Sequence, residues 1–337
     1  MAINGVVHGG RESKWGILEM SDFDAAASAT GNHEKIEGPM PSVDFGLHRN
    51  NSVKFGDGRM RSVANDFVTD KGGLRVISFS DMVVRLEDMA YLLYAVCQNV
   101  SEGGAEVYEK TYTLSSSTTQ PDFSANEGYF CQIGIYDTIA SYHRAFTGCI
   151  LRTLTLSADL TGDGLVRASG EWISGHAAST TTNFNTGTWN YNTQTYFNFF
   201  QTPTKKVGGS DVVLHGFDIT INNNAVRVGS TGANGICETY ALGTGEGGYE
   251  VSGNIKCKFD TNTQGMFAAD IAGTTTAIQL ACGTDGASGN FDFTCASCLV
   301  QDVKDDYDNA AGRALDIPFI ANSSAVFTCS DANSRSW

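Results

Sequence analysis

The stretch Cys149–Trp172, CILRTLTLSADLTGDGLVRASGEW, constrains the fold more than any other. Read with a period of two, Leu154, Leu156, Ala158 and Leu160 share one face, and Thr153, Thr155, Ser157 and Asp159 share the other. After Thr161-Gly162-Asp163-Gly164 the alternation resumes, with Val166, Ala168, Gly170 and Trp172 opposed to Arg167, Ser169 and Glu171. Two alternating arms joined by a Gly- and Asp-containing turn predict a β-hairpin with one buried face.

The rest of the chain is built from similar material. It holds 38 Gly but only 5 Pro, with many Ser, Thr and Asn, the composition of strands joined by turns. With 337 residues, one large or two ordinary domains are expected. No apolar run reaches the length of a membrane helix, and the first residues lack the basic and apolar regions of a signal peptide. The expectation is a soluble protein that stays in the compartment where it is made. Its nine cysteines then read as reduced, mostly buried thiols. A net charge of −15 argues against tight binding to nucleic-acid phosphates, although a surface over which DNA must slide should repel it.

In chain order, residues 1–40 read as a Gly-rich N-terminal arm with Trp15 and Ile17-Leu18 as docking points. A first domain is expected over 41–176, with strands near Ser42–Leu47, Leu74–Phe79, Tyr129–Tyr136 and Phe146–Leu160. Val84, Leu86, Ala90, Leu93 and Cys97 recur at helical spacing, predicting a helix over Asp81–Gln98 capped by Ser80. Residues 100–128 form a polar passage read as a long loop with one strand near Tyr112–Leu114. Residues 177–204 carry no charge before Lys205 but many aromatics, and read as a junction. A second domain follows over 205–329, with alternating runs at FDITI and YEVSGNIKCKF and a short helix over Gln264–Ile271. A tail over 330–337 ends the chain. Each half thus has strands, a helix, then more strands, which suggests the same fold twice. Ala168-Ser169-Gly170 is similar to Val251-Ser252-Gly253, but out of order relative to the helices, so the element order carries that argument.

No catalytic constellation is visible. Asp159–Gly164 begins like a calcium loop, but Thr161 is a poor third ligand and Gly170 at the twelfth position supplies none. Cys295 and Cys298 have CxxC spacing without a second pair, and on a regular strand they would point to opposite faces. The six histidines are scattered, and Gly243–Gly248 lacks the ending of a phosphate loop. Asp302–Asp308 reads as a solvated charge run. No enzyme activity, cofactor or metal is expected. The uncharged aromatic stretch reads as packing at a domain or subunit junction, with Trp15, Phe184, Trp189, Tyr191, Tyr196 and Phe199 as interface aromatics; stacking on sugars is the rival reading.

Several of these segments together resemble the two-domain tail tube proteins of tailed bacteriophages. They are Glu12-Ser13-Lys14-Trp15-Gly16, the Phe79–Val100 block, Phe146-Thr147-Gly148-Cys149-Ile150 with LRTLTLSADLTGDGLV, Pro203 before FDITINNN, and Asp316-Ile317-Pro318-Phe319-Ile320. The resemblance implies a mainly β chain of two tandem sandwich or barrel domains, each with a flanking helix. It implies a structural virion protein assembled in the host cytoplasm. Three chains would form a pseudo-sixfold ring, and rings would stack around a tape-measure protein into a hollow DNA conduit. Tail-terminator and tip proteins would be further partners, with no membrane. Under that reading Asp159, Asp163, Glu171, Glu250 and Asp260 are candidate acids of the lumen. The alternative function is a glycan-binding β-sandwich module of a virion or cell surface.

Overall fold

The computed structural model describes residues 13–331 apart from 24, 26, 29–32, 37–38, 44–48, 51–67, 70–74, 105–107, 116–120, 138–141, 161, 177–178, 182–188, 192–195, 200–203, 230–236, 244–247, 283–288 and 307–311. The chain is mainly β, as expected, with antiparallel sheets and two α-helices among the described residues. The predicted hairpin forms from Tyr142–Asp159 and Arg167–Ser174, and Leu154, Leu156, Val166, Ala168 and Trp172 are buried on one face.

That hairpin is the centre of a larger sheet. Arg75–Val83 pairs with the outer edge of 167–174. On the other side, 142–159 pairs with Leu214–Asn222, which pairs with Glu250–Lys258, which pairs with Ala314–Ala321. Strands from both sides of the 177–204 junction are therefore hydrogen-bonded into one sheet. The burial alternation of 214–222 and 250–258 follows the sequence pattern, with Ile219, Ile221, Val251, Ile255 and Cys257 inward. A second sheet takes the first half of 142–159 through Cys131–Asp137 to Ser13–Glu19 and His33–Ile36. The arm is thus part of the fold from Ser13 on, and Trp15 and Ile17 are buried in it.

The central six strands carry two internal relationships. In an all-antiparallel sheet, strands four places apart run the same way; 75–83 and 250–258 stand so, and each leads into a helix. This matches the element order read from sequence. The triplet similarity has its own geometry: Gly170 faces Leu154 and Phe79, while Gly253 faces Ile219 and Phe319. These positions are related by a local two-fold through the Thr155–Thr220 pair.

The first helix is shorter than its sequence pattern. It spans Leu86–Cys97, and Asp81 remains in the strand with φ 54°, its N–H donated to Ser169 Oγ at 3.0 Å. Ser80 is not the cap: Arg85 precedes the helix, and the Asp88 carboxylate accepts the Arg85 N–H at 3.2 Å. At the other end Gln98 adopts a left-handed conformation. Its side chain donates to Ala95 and Tyr129 carbonyls and accepts the Tyr129 N–H, tying the helix to the strand beyond. The second helix, Met266–Ala272, lies two residues later at its start than expected.

Two expectations are refined. Within the 100–128 passage Ser101–Gly103 is a short strand, and the strand expected near Tyr112–Leu114 is present but longer: it spans Tyr108–Leu114 and pairs along its length with Ala325–Asp331, with Tyr112 and Leu114 in the core. Its inward row includes Lys110, fully buried with its ammonium 3.8 Å from Glu102, and this charge disguises the alternation. The run Asp302–Asp308 contains a short strand, Lys304–Asp306, on the edge of 314–321.

Between the halves, Asn223 acts as a bolt. Fully buried, it donates to Val96 O at 3.1 Å and Leu151 O at 2.8 Å, and accepts the Ala225 N–H. Burying an amide requires partners for its groups, and these partners come from the first helix and the central hairpin.

Candidate functional site

One face of the central sheet is packed and the other is polar. The outward row holds Thr153, Thr155 and Ser157 on one strand, Asp218, Thr220 and Asn222 on the next, and Ser252, Asn254 and Lys256 beyond. Short hydroxyl and amide side chains dominate it. Three bases on this face are each held by acids: Arg152 by Glu171, Arg167 by Asp81 and Asp163, and Lys256 by Asp306 at 3.1 Å.

Where the strands 142–159, 214–222 and 250–258 end together, a cavity of about 430 Å³ opens, with Asp159, His215, Asp218, Asn254, Lys256 and Asp306 in its lining. Asp316 stands opposite Lys256 in the neighbouring strand. Burial, and then the charge of Asp316, push Asp218 above the usual carboxylate range. The Asp306 hydrogen bond and the surrounding acids push Lys256 up. Four carboxylates against one ammonium give a concavity that attracts cations and repels phosphates.

The five acids singled out from sequence do not converge. Asp159 lines the cavity. Asp163 lies in the hairpin turn, where the Leu165 N–H and then Arg167 hold its carboxyl below the usual range. Glu171 lies on the polar face with Arg152. Glu250 begins its strand and is exposed, and Asp260 accepts the N–H groups of Asn262 and Thr263 in the turn before the second helix. Sequence reasoning missed Asp218, Asp306 and Asp316. The alternation of FDITI did put Asp218 on the polar face, but the lateral neighbours that make a cluster appear only with strand pairing.

A family model described as phage tail tube protein matches residues 24–321. The chain belongs to the phage tail tube protein family. No curated protein matches it. Membership makes the tail tube chain a structural component of the virion tail that self-assembles into a tube. No helix among the described residues is long and apolar enough to cross a membrane. Nor are three His, Cys, Asp or Glu side chains grouped there to hold a metal ion.

The expected interface aromatics divide. Trp15 and Phe199 are enclosed by the chain's own residues: Trp15 packs 5.8 Å from Phe79, and Phe199 packs 4.6 Å from Phe217. Phe199 and its buried neighbour Phe197 wedge the end of the junction between the hairpin turn and the second half's core, an internal joint rather than a subunit surface. Tyr196 is exposed, with its ring under the Arg85 guanidinium at 4.4 Å and its hydroxyl accepting from Arg85 at 2.7 Å. Trp189 and Tyr191 begin and end a short strand beside His33–Ile36. Phe184 lies outside the described residues.

All nine cysteines are free and buried, as expected, but one expectation about them is corrected. Cys295 and Cys298 do not point to opposite faces. A bulge between them shifts the alternation by one residue, and both are buried on the same side.

Proposed function

We propose that the tail tube chain forms rings, three chains to a ring, and that these stack into a hollow conduit through which viral DNA passes. The polar face of the central sheet lines the lumen. The observation that carries this reading is the composition of that face: short hydroxyls and amides, with Arg152, Arg167 and Lys256 each neutralised by an acid. A wall of this kind offers DNA phosphates few cations on which to stall, and its carboxylates repel them. The recurrence of a strand leading into a helix four places along the sheet supports two related halves per chain, and so a pseudo-sixfold ring of three. Tape-measure, terminator and tip proteins are the partners such a tube requires. The candidate lumen acids are Asp159, Glu171 and Glu250 from the sequence reading, joined by Asp218 and Asp316; Asp163 and Asp260 belong to turns at the strand ends.

Electron cryomicroscopy of the assembled tube tests this. The expected map has Thr155, Thr220 and Ser252 facing the channel in a ring of three chains. A map with this face turned outward, or a lumen net positive along its length, overturns the proposal.

A further inference from the structure

The strand Asn290–Val300 carries two thiols for which the tube reading has no use. Ile278 lies opposite Cys295 and Thr276 opposite Cys298, so three steps on one strand match two on the other. The slip places both side chains on the same side of the strand, where both are buried. It also falls where the strand changes partner, from Ala325 opposite Cys295 to Ala321 opposite Cys298. The turn joining those partners, Asn322-Ser323-Ser324, folds over the pair. Asn322 N–H donates to Ser297 O at 2.8 Å, and Ser323 Oγ lies 3.9 Å from Cys295 Sγ. The three turn residues are exposed, while both thiols are buried.

This microenvironment separates the two sulfurs chemically. The neighbouring Cys298, with groups of Ser297 and Ser323, pushes the Cys295 thiol down, while Cys295 and burial push Cys298 up. Burial pushes Cys97, Cys131, Cys149, Cys237, Cys257 and Cys282 up. A thiol pushed down beside a partner thiol pushed up is an arrangement that favours thiol–disulfide exchange.

We propose that Cys295 and Cys298 form a redox-active dithiol, Cys295 attacking and Cys298 resolving, with a low-molecular-weight disulfide as the oxidant. The Cys295 thiolate attacks one sulfur of the disulfide, forming a mixed disulfide and releasing one small thiolate. Cys298 gives its proton to that thiolate, and its sulfur attacks Cys295 Sγ. The second small thiolate leaves and takes up the proton that Cys295 had shed. Two protein thiols are oxidised to one disulfide, and the small disulfide is reduced to two thiols.

The full-length native protein, exposed to oxidised glutathione near pH 7 and then quenched and peptide-mapped by mass spectrometry, tests this. Wild type should lose two hydrogens and gain a Cys295–Cys298 bond without retaining glutathione. Cys298→Ser should stop at a glutathione adduct on Cys295, and Cys295→Ser should form neither product. In brief alkylation of the native wild type, Cys295 should react at least about tenfold faster than any other cysteine, in keeping with a thiolate rather than a thiol as the reactive form. This wild-type rate needs no variant to fold. Equal reactivity of Cys295 and the other cysteines, or a wild type that accumulates the adduct without closing, overturns the proposal.

Discussion

Thr155 and Thr220 hold their hydroxyl oxygens 2.9 Å apart at the point where strands from the two halves of the chain cross. The local two-fold of the central sheet passes through this contact, and the pair lies on the polar face. Cross-strand Thr pairs contribute modestly beyond their burial. A double-mutant cycle with Thr155→Val and Thr220→Val, followed by denaturant unfolding, should give a coupling energy of about 0.2–1 kcal/mol. A coupling indistinguishable from zero would mean that the hydroxyls are solvated independently.

Gly170 and Gly253 occupy equivalent places for one physical reason. A Cβ on Gly170 would stand 2.6 Å from Thr153 O and 2.8 Å from Phe79 Cζ; one on Gly253 would collide with Asp218 O and stand 2.9 Å from Phe319 Cζ. In each case an aromatic ring lies over the glycine from the next strand, occupying the space a side chain would need. Gly170→Ala and Gly253→Ala should each cost about 1–3 kcal/mol, because the ring and the backbone must both move. Gly103, with nothing within 4 Å of its position, supplies the control: Gly103→Ala should change stability by no more than about 0.5 kcal/mol. Thermal melts of the three variants compare them directly.

The sequence showed clearly those elements whose pattern is local. The hairpin was legible because both arms alternate and nothing interrupts them. The strand 108–114 was legible only at its end because Lys110 occupies an inward position, where the Glu102 carboxylate and the carbonyl and ring of Tyr108 receive its charge. The shared side of Cys295 and Cys298 was hidden because a bulge breaks the period of two that the reading relied on. The start of the first helix was misplaced because Val84 continues the helical spacing although its N–H is bonded to Val166 O across the hairpin. The acidic cavity depends on which strands lie side by side, and alternation within one strand carries no information about lateral neighbours.

Asp218 gives stability a specific dependence on pH. Burial and Asp316 raise its folded-state value above the ordinary 3.8. For an acid raised on folding, the folded state binds the proton more tightly than the unfolded chain. Its favourable contribution is complete below the unfolded value and is lost as pH rises through the folded one. Asp218→Asn, which keeps the shape without the charge, should therefore melt higher than wild type at pH 7. The difference should vanish as pH falls well below the unfolded value of 3.8, where both states of wild type are protonated. Melting curves from pH 7 down to about pH 2.5 check this. A variant less stable than wild type at pH 7 would mean that Lys256 holds Asp218 as a charged partner.

Assembly should respond to salt because the charge that suits a conduit opposes its construction. Each chain carries a net −15, and many copies must be brought together in one tube. The bases on the polar face are already engaged within the chain, so they contribute little attraction between chains. At ionic strength near 0.01 M the screening length is about 30 Å, and neighbouring chains in the tube repel across their whole contact. At about 0.15 M it falls to about 8 Å, and only acids close to the contact still interact. The critical concentration for tube formation, followed by light scattering and sedimentation, should fall as salt rises through this range. Asp218→Asn and Asp316→Asn should reduce that dependence, because they remove charge from a shared face while leaving the packed one untouched. A critical concentration that rises with salt would place attractive ion pairs, not repelling acids, at the contacts between chains.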